Sequence, residues 1–251
     1  EEFTPGGITI EESKQTTAQL VKLGMIDYLS LSQGNFNTID THCPDAHYPK
    51  LPYIDIQAQI KAVAAGVPVV ASTRIQMPEQ AEAIIADGKA DLVGMCRALI
   101  ADPEWPLKAM QGRSEDIRRC IGTSHCHGAS KRLSCEVNPT VGNELDPPPA
   151  KVALPKRIVI VGGGPAGLEA AHTAAERGHK VVLLEKGKML GGKLAFARHY
   201  LPFHESSYAL DFLLRQVTKL GVEVRTATAG TRESVLNEKP DAVIVATGSD
   251  I

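Results

Sequence analysis

The chain has 251 residues, 43% of them hydrophobic and 22% charged, with a formal net charge of −2 at pH 7. That is the profile of a soluble globular protein of one large domain or two smaller ones, and it gives no reason to expect nucleic acid or an acidic membrane surface as a partner. No apolar run reaches the roughly 18 residues that a membrane-spanning helix needs, and Glu1-Glu2-Phe3 does not begin a signal peptide.

In chain order, the pattern predicts a helix over Thr9–Leu23, with Glu11 and Glu12 in its first turn, and a strand over Ile26–Ser32. A helix over Asp55–Ala65, a buried strand over Val67–Ser72 and a helix over Pro78–Gly88 follow. Ala90–Met95 reads as a further strand, with helical sequence after it as far as Gly112. Strands alternating with helices predict parallel βα units, in a barrel or an open sheet. Residues 113–155 break this rhythm: they read as a cysteine-rich linker ending in a stiff connector at Pro147–Pro149. From residue 156 the α/β rhythm returns. Strands are expected at Arg157–Val161, Lys180–Glu185, Val222–Arg225 and Ala242–Ala246. Helices are expected at Pro165–Arg177, Ser206–Leu220 and Thr231–Asn237.

The strand Arg157–Val161 runs into Gly162-Gly163-Gly164-Pro165-Ala166-Gly167, the order strand, G-x-G-x-x-G, helix. In that arrangement Gly162 makes the tight turn, Gly164 lets a pyrophosphate approach the backbone, and Gly167 lets the helix lie close to the sheet. Pro165 and Ala166 open the helix whose first N–H groups hold phosphate. Glu185, at the end of the second strand, is placed to accept a hydrogen bond from a ribose 2′-OH and would repel a 2′-phosphate. The site is therefore expected to take FAD, NAD or ADP rather than NADP.

Five cysteines are present, three of them between Cys120 and Cys135, a crowding that reads as a metal or cluster site in a reducing compartment such as the cytoplasm. The chain has no initiator Met and reads as a piece of a longer polypeptide.

Leu190-Gly191-Gly192-Lys193 and Val243–Ser249 resemble the Gly-Gly and Ala-Thr-Gly elements of the glutathione-reductase-like flavoproteins. Taken whole, the chain resembles the iron–sulfur branch of the old yellow enzyme family, which includes trimethylamine dehydrogenase, 2,4-dienoyl-CoA reductase and N-methylproline demethylase. The resemblance implies an α/β fold: the C-terminal part of a TIM barrel over residues 1–112, the cysteine-rich linker over 113–155, and a Rossmann-like dinucleotide-binding domain over 156–251. It implies FMN in the barrel, with Ser72-Thr73-Arg74 and Gly94-Met95-Cys96-Arg97 as its phosphate loops. Loops after the last two strands of such barrels often bind phosphate. The Gly34–Pro49 loop lies at the active-site end and offers His42 as the candidate catalytic residue, with His47 behind it.

The resemblance also implies a [4Fe–4S] loop ligated by Cys120, Cys126 and Cys135. The family's remaining cysteine is Thr123 here, and a hydroxyl is a poor ligand for iron. Three readings stay open: a cluster with a substitute ligand such as His125 or His127, a labile or three-iron cluster, or three thiols without iron. Cys43 lies outside the loop and reads as an ordinary thiol.

The activity implied is an FMN-dependent oxidation of a small amine, with electrons leaving through the second nucleotide domain or an electron-transfer partner. The alternatives are reduction of an activated C=C bond, or a nucleotide-binding fragment without catalysis of its own. A homo-oligomer is compatible with either enzyme reading.

Overall fold

A computed structural model describes residues 1–128, 133–146 and 150–249; the expected connector Pro147–Pro149 lies outside the described residues. The chain divides into two compact units, Glu1–Val141 and Gly142–Ile251. The cysteine-rich stretch up to Val141 thus folds with the first unit.

The first unit opens with α1 (Ile10–Leu23), which Thr9 and Glu12 start with a capping box and Gly24 ends in the left-handed region. Then come β1 (Leu29–Ser30), a 3-10 turn at Phe36–Thr38, α2 (Ile39–His42), α3 (Ile54–Val63), β2 (Val69–Ala71), α4 (Pro78–Ala86) and β3 (Leu92–Val93). Short helices α5 (Arg97–Ala101) and α6 (Trp105–Met110), a 3-10 turn at Ser114–Asp116 and α7 (His125–Gly128) complete it. The strands are parallel in the order β1-β2-β3, with Leu29 opposite Val69 and Val70 opposite Leu92. All three are shorter than the sequence predicts. Pro68 has no N–H to give a ladder, so β2 begins at Val69. The Gly34–Pro49 segment, expected as a loop, contains α2.

Ile54, Ala71, Ile75, Ile84 and Ala90 pack as one core and Ala98, Trp105 and Ile117 as another. Trp105 ties its indole N–H to the Gln76 carbonyl at 2.9 Å, and Gln76 Nε2 reaches the Cys120 carbonyl at 2.9 Å. Asp102, 3% exposed, accepts from Lys108 Nζ at 2.7 Å and from the Arg118 amide at 2.8 Å. These buried bonds anchor the cysteine segment to the βα units.

The second unit contains β4 (Arg157–Val161), α8 (Pro165–Glu176), β5 (Lys180–Leu184), α9 (Gly192–Ala197), a 3-10 stretch at Leu201–Ser206, α10 (Ser207–Lys219), β6 (Glu223–Arg225), α11 (Arg232–Asn237) and β7 (Ala242–Val245). The sheet is parallel in the order β6-β5-β4-β7. The chain direction of strand addition reverses between β4 and β7, the point at which sheets of this type bind ligands beyond their carboxyl ends. Residues of β4, β5, α8 and α10 form its main core, with Ile160, Leu168 and Leu183 fully buried. β7 differs: all four of its residues are exposed, Val245 at 73%. α9 and the 3-10 stretch before α10 carry no helical signal in the sequence, because Gly-Gly and Pro202 argue against helix on propensity alone. Among the described residues, no helix is long and apolar enough to cross a membrane.

Candidate functional site

Each unit holds a cavity of a size suited to a nucleotide, about 530 Å³ in the first and about 540 Å³ in the second.

In the first unit, β2 and β3 end side by side and deliver Ser72, Thr73, Arg74, Gly94, Cys96 and Arg97 to one cavity wall. Thr73 and Arg74 are both non-glycine residues with positive φ, 89° and 54°. Two such residues in succession store strain that the surroundings must hold, a feature that gathers at binding sites. Gln57, fully buried on α3, does the holding. Its Oε1 accepts from the Ser72 amide at 3.0 Å. Its Nε2 donates to the Ser72 carbonyl at 3.3 Å and to Gln33 Oε1 at 2.7 Å. Ser72 Oγ also donates to the Leu31 carbonyl at 3.0 Å, so the ends of β1 and β2 are locked together. Arg74 is 7% exposed and lines the cavity.

His42 lines the same cavity, at the end of α2. Its Nδ1 lies 3.0 Å from the Gln33 carbonyl. A carbonyl only accepts, so Nδ1 carries the proton and Nε2 is left as an acceptor in the neutral ring. His47 is exposed and pairs with Asp45 at 3.0 Å, away from the cavity lining. Burial acts upward on the Asp45 carboxyl, but bonds from His47 outweigh it and hold its pKa down.

Cys43, Cys120, Cys126 and His127 complete this wall, residues that sequence reasoning assigned to the cluster loop or to no site. Cys43 Sγ lies 3.9 Å from His127 Nδ1, and Arg97 Nη1 donates to Ser124 Oγ at 3.0 Å. All five cysteines are thiols. Burial pushes the pKa of Cys43, Cys120 and Cys126 up, against the pull of Arg97. Cys120, Cys126 and Cys135 meet around a smaller cavity of about 20 Å³, also lined by Thr123. That is room for about one water-sized sphere. Among the described residues, no group of three or more His, Cys, Asp or Glu is arranged to hold a metal ion. Three thiols leave a four-iron cluster one thiolate short of its four ligands; of the other donors lining this cavity, the Thr123 hydroxyl is a poor iron ligand and the His125 imidazole a usable one.

In the second unit, Gly162, Gly164, Pro165, Ala166, Glu185 and Gly192 line the cavity together with Lys186, Lys193, Thr231, Thr247 and Ser249. Gly162 has φ 110°, and a Cβ on it would stand 2.3 Å from the Ala246 carbonyl oxygen at the end of β7. A Cβ on Gly167 would stand 1.8 Å from the Gly162 carbonyl oxygen, so α8 lies directly on the turn, and Gly167 itself is buried there. A Cβ on Gly164 would meet nothing within 4 Å. Glu185 braces the turn: Oε2 accepts from the Gly163 amide at 2.7 Å and Oε1 from the Gly187 amide at 2.6 Å. A carboxylate has about four lone-pair positions, so capacity for a hydroxyl remains. The Ala229–Thr231 part of the lining follows β6 and carries no motif, so it was not legible beforehand.

Comparison with known proteins adds the following. Residues 1–116 match the NADH:flavin oxidoreductase / NADH oxidase family and residues 157–236 the FAD dependent oxidoreductase family. The chain is 40% identical over 256 residues to an NADH oxidase of Thermoanaerobacter brockii, covering 100% of this chain and 39% of that protein. It is 33% identical to an N,N-dimethylglycine/sarcosine dehydrogenase of Chromohalobacter salexigens, covering 99% of this chain and 37% of that protein. A solved 2-naphthoyl-CoA reductase superposes with a TM-score of 0.92 at 30% identity, over 99% of this chain and 38% of that one. The chain thus spans less than two fifths of the length of these relatives, 37% to 39%.

Proposed function

Since the chain belongs to the NADH:flavin oxidoreductase / NADH oxidase family, the old yellow enzyme family, we propose that it forms part of an FMN-dependent oxidoreductase with a second dinucleotide site, acting on a small N-methylated amine. One observation carries the FMN reading: Arg74 and Arg97 stand at the ends of adjacent parallel strands and line one cavity with the strained Thr73-Arg74 backbone. Two guanidiniums and the loop amides, those of Thr73 and Cys96 among them, suit a phosphate monoester.

When bound, FMN supplies the hydride chemistry. The protein's own residues hold and orient. Gln57 fixes the phosphate loop through Ser72, and Arg74 and Arg97 neutralise the phosphate. His42, its Nδ1–H engaged by Gln33, offers Nε2 as an acceptor to a substrate ammonium or N–H. In the second unit, Glu185 and the Gly162–Gly167 turn suit the ribose and diphosphate of FAD, ADP or NAD. A dinucleotide held there, or an electron-transfer partner, would take up the electrons. Were iron held in the first unit, Cys120, Cys126 and Cys135 would be its thiolate ligands and His125 the candidate for the fourth place. The dimethylglycine/sarcosine dehydrogenase supports the amine reading. The superposition with 2-naphthoyl-CoA reductase supports a second reading, reduction of an activated C=C bond.

The test is flavin binding followed by anaerobic reduction. The protein is expected to prefer FMN to riboflavin, and Arg74→Ala with Arg97→Ala to erase that preference. Bleaching of the bound flavin by sarcosine, and not by NADH alone, supports the amine reading; reoxidation by an activated alkene supports the reductase. Equal binding of FMN and riboflavin by the unaltered protein sinks the phosphate-loop assignment.

A further inference from the structure

We propose that Gln33 is a positioning residue for His42, and that through Gln57 it ties the tautomer of the His42 ring to the Ser72-Thr73-Arg74 loop; this rests on the reading of His42 as the acceptor in the first unit's cavity. Both glutamines are buried, Gln33 at 6% and Gln57 at 0% exposure, and buried amides take partners within the protein. The polarity of the chain they form is forced. The Ser72 amide can only donate, so Gln57 turns Oε1 toward it, at 3.0 Å. Gln57 Nε2 is thereby aimed at the Ser72 carbonyl and at Gln33, and because Nε2 only donates, Gln33 meets it with Oε1, at 2.7 Å. One backbone N–H in the loop after β2 thus orients two side-chain amides.

Gln33 held by its side chain presents its main-chain carbonyl to His42 Nδ1, 3.0 Å away. The next residue makes that approach close. Gly34 has φ 69°, and a Cβ on it would stand 2.4 Å from Thr41 Oγ1 and 2.5 Å from the His42 backbone nitrogen, so the chain folds directly onto α2. Phe36 touches the ring from another side, with centroids 5.8 Å apart. The alternative tautomer would set the Nδ1 lone pair against the carbonyl oxygen and leave that acceptor unmet, which disfavours it by roughly tenfold or more. The neutral ring therefore keeps its proton on Nδ1, and Nε2 accepts rather than donates. Neither glutamine has to meet a ligand for this: they decide which way His42 can move a proton by deciding where its own proton sits.

The test is two-bond proton–nitrogen correlation NMR of the histidine rings in the neutral form, without flavin or substrate, with His42 assigned by the signal lost in His42→Gln. The unaltered protein is expected to show His42 protonated on Nδ1. Gln33→Met removes the acceptor that Gln57 grips and should shift the tautomer ratio toward Nε2–H by roughly tenfold. Gln33→Glu keeps an oxygen for Gln57 Nε2 and retains the Nδ1–H form. Gln57→Leu, a change at a residue bonded to Gln33 rather than to His42, should move the ratio in the same direction as Gln33→Met. An Nε2–H ring in the unaltered protein refutes the proposal before any variant is made, so it stays open to refutation even if Gln33→Met does not fold. An Nδ1–H ring that persists in Gln33→Met or in Gln57→Leu refutes it as well. Failure of the flavin reading is separate: equal binding of FMN and riboflavin sinks that reading and leaves the ring spectra as they are, whereas the wrong tautomer in a protein that prefers FMN sinks the positioning role alone.

Discussion

Two glycines three residues apart in the same turn should fail in opposite ways when each gains one methyl group. On Gly167 a Cβ would stand 1.8 Å from the Gly162 carbonyl oxygen, against the 3.4 Å at which ordinary contact begins, so about 1.6 Å must be found. The obstacle is backbone and cannot rotate away. Helix α8 is pinned on its other faces by fully buried Leu168 and Ala171, so shifting it disturbs the main core of the sheet. Overpacking of that kind costs about 1–3 kcal/mol. For a unit of this size, that lowers the melting temperature by roughly 4–8 °C per kcal/mol. On Gly164 the same methyl meets nothing within 4 Å, and the backbone, with φ −76°, suits any residue. Gly164→Ala should therefore melt within about 0.5 kcal/mol of the unaltered protein yet lose ADP affinity by roughly tenfold or more. Differential scanning calorimetry and ADP titration on the two variants separate the effects. Equal loss of stability in both, or undiminished ADP binding by Gly164→Ala, would refute the reasoning.

Three more expectations follow from other parts of the molecule. Gln57→Leu removes the partner of both the Ser72 amide and carbonyl inside the first unit, and denaturant titration should show a loss of about 2–4 kcal/mol; a loss under about 0.5 kcal/mol would mean the clamp is redundant. Hydrogen bonds from Arg225 and then Arg157 hold the Glu238 carboxyl below its ordinary 4.5. A depressed carboxyl pKa gives stability that is present above 4.5 and lost as pH falls through the folded value. Glu238→Gln should thus lower the melting temperature slightly at pH 7, with the gap closing as the pH is taken below 4.5 and shrinking in high salt; a gap that widens in acid contradicts the assignment. Finally, after anaerobic reconstitution with iron and sulfide, Thr123→Cys should bind more iron than the unaltered chain. Four irons per unaltered chain would show that the site is complete without a fourth thiolate.

Much of the second unit was legible because its chemistry is written in consecutive residues. The run from Arg157 to Gly167 states a strand, a turn and a helix at once, and Glu185 falls where the next parallel strand must end. The order β6-β5-β4-β7 follows from the same βα rhythm. The first unit was legible in its helices and strand positions but not in its strand lengths, which depend on how many residues of neighbouring strands pair. The left-handed pair Thr73-Arg74 carries no sequence signal, since neither residue favours that backbone. Gln57 looked like one more polar position on a helix; only its partners, 15 and 24 residues away in sequence, reveal what it does. Lys193 was visible beside the Gly-Gly pair, but the bond from its Nζ to Ser249 Oγ, 3.1 Å long and 56 residues apart in sequence, needed the fold.

The exposed strand Ala242–Val245 has a practical consequence. It pairs with β4 along one side and presents apolar side chains to water, Val243 at 44%, Ile244 at 37% and Val245 at 73% exposure. Among the described residues β7 is paired along one side only, and an apolar strand with a free side is a template on which a foreign strand can add by main-chain hydrogen bonding. Handling the polypeptide at high concentration therefore courts sheet-to-sheet self-association from this border, which charged replacements along the ribbon would suppress.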